Sequence, residues 1–380
     1  MRILVYIKEA AVAERSSTVR CAVPGRARPR ALVTGANGFM GRHLCRILAS
    51  WNTGAEEIGY EITATDIGGD PHWALVAGEG NTVVPCRYIP CDLRDPVQVD
   101  KLVLWQSFDV VFHVAGLFDY SAAYDDLYDV NVRGSRNLIR ALGQDDGVLR
   151  SPKVLPRRII VWGAAGVYDF SKGSPVTETS PKNPKGGYLT TKYMEERLML
   201  DEGARLGIPV TVIRPGGVYG PGSRYGVGFS VILAARGGMG PFYFGPGNTR
   251  AGMVHVEDVC RAAAFLARRH EAEGEIYNVN DDSAYRTSEL MRTCTKKLGF
   301  PLLPINFPLG VMRFFIGNLS RRAAKKGRIS MLNTEMTDLL AYDALLSTEK
   351  LRALGWRAKW PDSIKGLEAT IDWYEKEGWL

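Results

Sequence analysis

Tyr188-Leu189-Thr190-Thr191-Lys192 places a phenol and an ammonium four residues apart. On a helix that spacing puts both on one face. A free tyrosine ionises near about pH 10. A neighbouring ammonium stabilises the phenolate and lowers that value. Such a tyrosine can take a proton from an alcohol as hydride leaves its carbon, or return one to a carbonyl. The spacing alone recurs by chance, so its meaning depends on what precedes it.

Hydride chemistry needs a carrier, and an earlier stretch offers a place for one. Leu32-Val33-Thr34-Gly35-Ala36-Asn37-Gly38-Phe39-Met40-Gly41 is a short apolar run followed by glycines at 35, 38 and 41 and then an amphipathic segment. That pattern reads as strand, tight turn and helix, with amides at the helix start free to meet a pyrophosphate. Residues 60–65 alternate and are β-branched, which predicts a second strand ending at Asp66, 25 positions after Gly41. A dinucleotide site wants an acid roughly 20 residues on, to accept from the adenosine ribose. A loop over 51–59 accounts for the excess. Asp66 could also simply end a strand in a turn. Ile67-Gly68-Gly69 follows it, with no arginine to receive a 2′-phosphate, so NAD is expected rather than NADP.

The positioning elements follow from the pattern. Further strands are expected over 87–91, 109–114, 158–162 and 210–213, with a long helix over about 122–142 that contains Asn131. Strands alternate with helices, which predicts an α/β, Rossmann-type doubly wound parallel sheet. Ligands in such sheets sit beyond the carboxyl ends of the strands. From Gly216 the chain turns loop-rich, and a helix opens at Val254 to Asp258. A strand is expected over 275–279. Beyond Thr287 the chain reads mostly helical, with a break at 301–308. The expected division is an N-terminal arm over 1–30, an NAD-binding part over 31–216 and 252–280, and a smaller, mostly helical substrate-binding part over 217–251 and 281–380.

Composition narrows the classes. A chain of 380 residues with 46% hydrophobic and 23% charged residues is that of a globular protein with a substantial core. No apolar run reaches the roughly 18 residues a membrane span needs. Charges at Lys8, Glu9, Glu14 and Arg15 break the first segment, so no signal peptide is expected and the location is expected to be cytoplasmic. The six cysteines form no C-x-x-C pair and no histidine cluster accompanies them, so no metal site is expected. The net charge of +7 collects in the N-terminal arm and around 321–328, without any nucleic-acid recognition motif.

Taken together, the motifs resemble the extended short-chain dehydrogenase/reductase superfamily, in its NAD-dependent epimerase/dehydratase group. The resemblance covers roughly residues 31–380. It rests on Thr34 to Gly41, Asp66, Asp92, His113-Val114-Ala115-Gly116, Tyr188 to Lys192, Arg214-Pro215-Gly216-Gly217-Val218-Tyr219-Gly220-Pro221, Val254 to Asp258, and Asp372-Trp373-Tyr374. It implies that Gly35, Asn37, Gly38, Phe39, Met40 and Gly41 hold the pyrophosphate, and that Asp66 holds the adenosine ribose. Asp92 and Leu93 would flank the adenine, and Val114, Ala115 and Gly116 would line the cofactor. Lys192 would also reach the nicotinamide ribose, with Pro215, Gly216 and Val218 beside the nicotinamide. It further implies a homodimer, paired through helices at about 122–142 and 188–205.

One position departs from the family. Three residues before Val167-Tyr168, where the family usually has Ser or Thr, stands Ala164. That hydroxyl normally orients the substrate oxygen, and a methyl neither donates nor accepts. Another donor or a water could substitute, the substrate could supply its own polar group, or the protein could bind NAD without catalysis. Thr190 and Thr191 lie nearby in sequence, but helical direction turns them elsewhere. Gly217 and the 245–256 segment favour the 3-beta-hydroxysteroid dehydrogenase-like branch, hence a hydroxyl or ketone on a bulky, sterol-like small molecule. The apolar stretch from Ile305 to Leu319, followed by basic residues, could be a core helix, a substrate lid or a peripheral membrane contact. Arg224 and Arg250 could each hold a phosphate of a sugar nucleotide instead.

Overall fold

The computed structural model describes residues 28–50, 59–68, 86–104, 106–120, 122–143, 154–224, 248–299 and 341–380, with short pieces between 229 and 318. Residues 1–27 of the expected N-terminal arm, the basic cluster at 321–328, residues 245–247 and most of 309–319 lie outside the described residues, while Arg30, the last residue of that arm, opens the first strand.

Seven parallel strands form the central sheet. They are β1 (Arg30–Thr34), β2 (Glu61–Asp66), β3 (Cys86–Pro90), β4 (Val110–His113), β5 (Arg158–Trp162), β6 (Val210–Pro215) and a strand at Ile276–Val279. Their spatial order is the 276–279 strand, then β6, β5, β4, β1, β2 and β3. The order reverses at β1, between β4 and β2, and this is the switch point beyond which a doubly wound sheet binds ligands. Register places Thr34 beside His113 on one side and Thr65 on the other.

The strands are apolar throughout because both faces are covered. Side chains alternate, so each strand feeds two cores. Ala31, Val33, Phe112, Ile160 and Trp162 face one core, with Leu44 and Leu48 of α1 (Phe39–Ser50). Leu32, Val111, Ile159 and Val161 face the other, with Leu138 and Met199 from two helices. The same alternation sends Thr34 and His113 to the second face. There lie α2 (Pro96–Leu104), α3 (Tyr124–Tyr128), a π-helical turn at Asp129–Arg133, α4 (Gly134–Gly143) and α5 (Gly186–Leu206). The expected 122–142 helix is thus present but interrupted by a π turn that contains Asn131. Helix α5 ends at Gly207, whose left-handed backbone (φ 70°) closes its last turn.

Beyond β6 the chain forms a two-stranded parallel pair, β7 (Gly217–Tyr219) with a strand at Met253–His255. Helix α6 (Val256–Leu266) follows, capped by the His255 side chain. Its Ala262, Ala263 and Ala264 are fully buried, so its backbone packs closely. A third core gathers Tyr219, Met253 and Leu290 with Leu367, Ile371 and Tyr374 of a C-terminal helix, Ser363–Lys376. One expectation is corrected here. Residues 305–307, inside the expected break and at the head of the apolar stretch, form a strand that pairs in parallel with Phe242–Phe244. Alternating Ile305 and Phe307 suits a strand, which periodicity over so short a run cannot distinguish from a helix.

Candidate active site

The turn after β1 is built for close approach. Gly35 has φ +68°, and a Cβ there would stand 2.6 Å from the backbone of Ala115. A Cβ at Gly41 would strike the Gly35 carbonyl, so the first turn of α1 lies directly on the glycine loop. The Gly38 amide closes the loop onto the Gly35 carbonyl at 3.0 Å. Asp66 sits at the end of β2 and accepts the Asn37 amide at 2.8 Å through one oxygen and the Ile67 amide at 2.8 Å through the other. The Asn37 side chain donates to the Gly68 carbonyl (2.7 Å) and the Tyr88 hydroxyl (3.0 Å). Loop, acid and helix start are therefore one rigid unit. The groups are those a dinucleotide needs: donating amides at a helix N-terminus for a pyrophosphate and an accepting carboxylate at the neighbouring strand end.

Neighbouring expected positions are also placed. Asp92 is gripped by Arg94 at 2.7 Å, and that bonding lowers its carboxyl below the usual range. The Leu93 carbonyl accepts from Asn137 at 2.9 Å. Ala115 donates its amide to Thr34 Oγ1 at 3.2 Å. A Cβ on Gly116 would lie 3.5 Å from Lys192 Nζ, so this ammonium stands against the end of β4. Pro215 is buried at the end of β6, the Gly216 amide bonds the Val279 carbonyl at 3.0 Å, and Val218 is half-buried in β7.

Tyr188 and Lys192 occupy the first turns of α5. The helix is anchored one turn further on, where Glu196 takes the fully buried Arg214 guanidinium (Nε to Oε2 2.9 Å). Arg214 also donates to Tyr168 Oη at 2.7 Å, and Tyr168 donates to Asn278 at 2.7 Å. This chain ties α5, the loop after β5 and the 276–279 strand together. Tyr188 is only 8% exposed. The rings of Phe118 and Tyr120 each lie edge-on to it, with centroids 5.0 Å away. Burial, then the Tyr120 phenol and the Glu195 carboxylate, push Tyr188 ionisation well above the ordinary tyrosine value, which corrects the lowering expected from the spacing of Tyr188 and Lys192. The half-buried Ala164 packs on the same cluster as Tyr188, Leu189 and Leu127.

Beneath Lys192 lies a buried polar network absent from the sequence expectations. Lys192 Nζ is 2.5 Å from Glu195 Oε2, and Glu195 is fully buried. His113 Nε2 is 3.4 Å from Glu195 Oε1 and 2.8 Å from Ser135 Oγ, while its Nδ1 is 2.9 Å from Thr34 Oγ1. Ser135 donates to the Asn131 carbonyl at 2.6 Å. The Asn131 side chain accepts the Leu117 amide (2.8 Å) and donates to Thr191 Oγ1 (3.1 Å), which explains why Thr191 turns from the site. Burial, then the Lys192 charge, hold His113 down to about 3, so the imidazole is neutral. Burial pushes Glu195 up to about 7, against the pull of Lys192.

The two arginines are not brought to this cluster. Arg224 stacks on the Trp379 ring at 4.7 Å, and Arg250 lies 3.6 Å from Asp343. Among the described residues no group of acidic, histidine or cysteine side chains is arranged to hold a metal ion. No helix among them is long and apolar enough to cross a membrane.

The profile of the NAD dependent epimerase/dehydratase family matches residues 31–280. The chain belongs to this family. It is an enzyme of the extended short-chain dehydrogenase/reductase type, and its cofactor is NAD. The glycine loop and Asp66 fit that cofactor on the geometry above. The chain is 29% identical over 296 residues to a 3beta-hydroxysteroid-dehydrogenase/decarboxylase, isoform 2, of Arabidopsis thaliana, covering 74% of this chain and half of that protein. It is 23% identical over 350 residues to a putative UDP-glucose 4-epimerase of Methanocaldococcus jannaschii, covering 90% and 97% of the two. Among solved structures, a Thermus thermophilus UDP-glucose 4-epimerase in complex with NAD superposes with TM-score 0.65 at 23% identity, covering 91% of this chain and 99% of that one. The family and the Rossmann-type sheet expected from the motifs are both borne out.

Proposed function

We propose that the protein is an NAD-dependent oxidoreductase acting on a hydroxyl or ketone of a bulky, sterol-like molecule. The observation that carries this reading is the surround of Tyr188: Phe118, Tyr120, Leu127 and the Ala164 methyl make it apolar. Such a lining suits a hydrocarbon frame better than a hydrated sugar. The Arabidopsis relative supports it, because its name is that of a hydroxysteroid enzyme.

In this reading NAD, when bound, supplies hydride acceptance or donation. Gly35, Asn37, Gly38, Phe39, Met40 and Gly41 would hold its pyrophosphate. Asp66 would hold a ribose, Asp92 and Leu93 would flank the adenine, and Val114 to Gly116 and Pro215, Gly216 and Val218 would line its length. Tyr188 passes the proton to or from the substrate oxygen, and Lys192 orients and charges that end of the site. Phe118 and Tyr120 exclude water from the phenol. Residues 217–251 and 281–380 would shape the substrate cavity. The test is NADH formation or consumption over a panel of sterol-like alcohols and ketones. Turnover supports the reading, and none across the panel sinks it.

A second reading, a nucleotide-sugar epimerase that recycles bound NAD, is favoured by the archaeal relative. It needs cations for a diphosphate. Arg224 and Arg250 would have to leave Trp379 and Asp343 to serve. Calorimetry with UDP decides: no measurable affinity excludes it.

A further inference from the structure

Glu195 has no part in the proton transfer just described, yet it is fully buried and lies 2.5 Å from the ammonium of Lys192. A carboxylate is not left in such a place without a partner, because desolvation of an isolated charge costs several kcal/mol. Here the partner is the ammonium of the residue read above as the companion of Tyr188 in proton transfer. We infer that Glu195 is a positioning residue for Lys192: it holds the ammonium against the end of β4, and its own negative charge opposes that of a Tyr188 phenolate. The inference rests on the reading of Tyr188 and Lys192 as the proton-transferring pair.

The groups around Glu195 leave it few other roles. On its own helix it meets Lys192, and Glu196 beside it is occupied by Arg214. From β4 comes His113, with Nε2 at 3.4 Å, held neutral by burial and by Lys192. From α4 comes Ser135, which donates to the Asn131 carbonyl. His113 meets Ser135 Oγ through Nε2 and Thr34 Oγ1 through Nδ1, and being neutral it presents no charge to Glu195. Thr34, His113, Ser135 and Glu195 are each buried, with exposures of 0%, 1%, 0% and 0%, and Lys192 is 5% exposed, so the charge pair is well shielded from solvent among the described residues.

With Glu195 ionised, its carboxylate adds to the burial and the Tyr120 phenol that hold Tyr188 protonated; with Glu195 protonated, that opposition is gone. Burial pushes the Glu195 carboxyl up to about 7, so this change falls near neutral pH. Lowering pH through neutrality therefore removes one charge that opposes the phenolate, opposite to the usual direction in which acid suppresses it.

The test needs no substrate. Tyrosinate absorbance is titrated in the full chain and in Glu195→Gln, each against its own Tyr188→Phe counterpart, so that one phenol is isolated. Glu195→Gln is expected to lower the Tyr188 titration midpoint by about one pH unit, a roughly tenfold greater tendency to ionise. Glu195→Asp, which keeps the charge, is expected to restore most of the difference. An unmoved Tyr188 midpoint in a folded Glu195→Gln variant overturns the inference. Should that variant fail to fold, carbon-13 lysine labelling of the unmutated chain decides. The Lys192 ε-carbon signal should shift as Glu195 protonates through neutral pH, and a flat signal overturns the inference. Because neither readout involves turnover, an inactive substrate panel would refute the oxidoreductase reading while leaving this measurement intact.

Discussion

The two ends of the candidate cleft are made from different materials. At the glycine end the contacts are mostly backbone: the Gly35 turn against Ala115, the Asn37 and Ile67 amides on Asp66, and the exposed start of α1. At the tyrosine end they are side chains from five separate segments: Thr34 from β1, His113 from β4, Phe118 and Tyr120 from the following loop, Ser135 from α4, and Tyr188, Lys192 and Glu195 from α5. Backbone sites bind a constant group such as a pyrophosphate, because every residue brings the same amide. Side-chain sites can be retuned one residue at a time, and Ala164, where the family resemblance leads one to expect a hydroxyl, lies at this end.

The comparison predicts a clean split between chemistry and binding. Tyr188→Phe removes the proton carrier and is expected to lower turnover by about a hundredfold to ten-thousandfold. NAD affinity, measured by calorimetry, should stay within about threefold. A matching loss of NAD binding would show that the two ends are not separable. Gly35→Ala attacks the other end. Its methyl would meet Ala115 backbone at 2.6 Å, in a left-handed conformation that costs an alanine roughly 1–2 kcal/mol before the clash. NAD affinity should fall at least about tenfold and the thermal midpoint should drop by several degrees.

A third test uses pH. Burial holds His43 down to about 4, and His113 and His255 down to about 3. An unfolded histidine titrates near about 6.5. Each therefore contributes stability above that value and loses it as pH falls towards the folded value. Glu195 and Asp281, both pushed up to about 7 by burial, act in the opposite sense, and their stability cost grows as pH rises from about 4.5 to 7. Between about pH 6.5 and 4.5 the two acids offset two of the three histidines and leave a shallow loss, and below that the offset fades. The thermal midpoint should fall shallowly to about pH 4.5 and then more steeply towards about pH 3, where carboxylates held low, such as Asp92 and Glu257, add to the loss. A midpoint that holds across the lower interval would contradict the buried, neutral histidines.

The smallest effect is expected from Ala164→Ser. The alanine is half-buried beside the Tyr188 cluster, and a single oxygen changes little volume. If substrate or a water already fills the missing role, kcat/KM should move by less than about threefold. A rise beyond about tenfold would show that the tyrosine end lacks a donor that the family position normally gives.

What the sequence determined by itself was the local and periodic part. The strand-turn-helix around Gly35, the acid at the end of β2, the phenol and ammonium one helical turn apart, and the alternating strands were all legible. Each depends on a few consecutive residues or on a fixed period, which backbone geometry imposes regardless of surroundings. Tertiary structure alone decided the neighbours. Nothing in Lys192-Tyr193-Met194-Glu195 states that the glutamate is buried, or that His113 meets it from a strand about eighty residues earlier in the chain; the i,i+3 spacing was the one available signal. The same holds for the phenyl and phenol over Tyr188 and for the stacking of Arg224 on Trp379. Those contacts depend on sheet register and helix docking, which sum many weak interactions spread along the chain. The sequence therefore specified where a dinucleotide would lie, and the packing of α5 on the sheet decided which charges surround its reacting end.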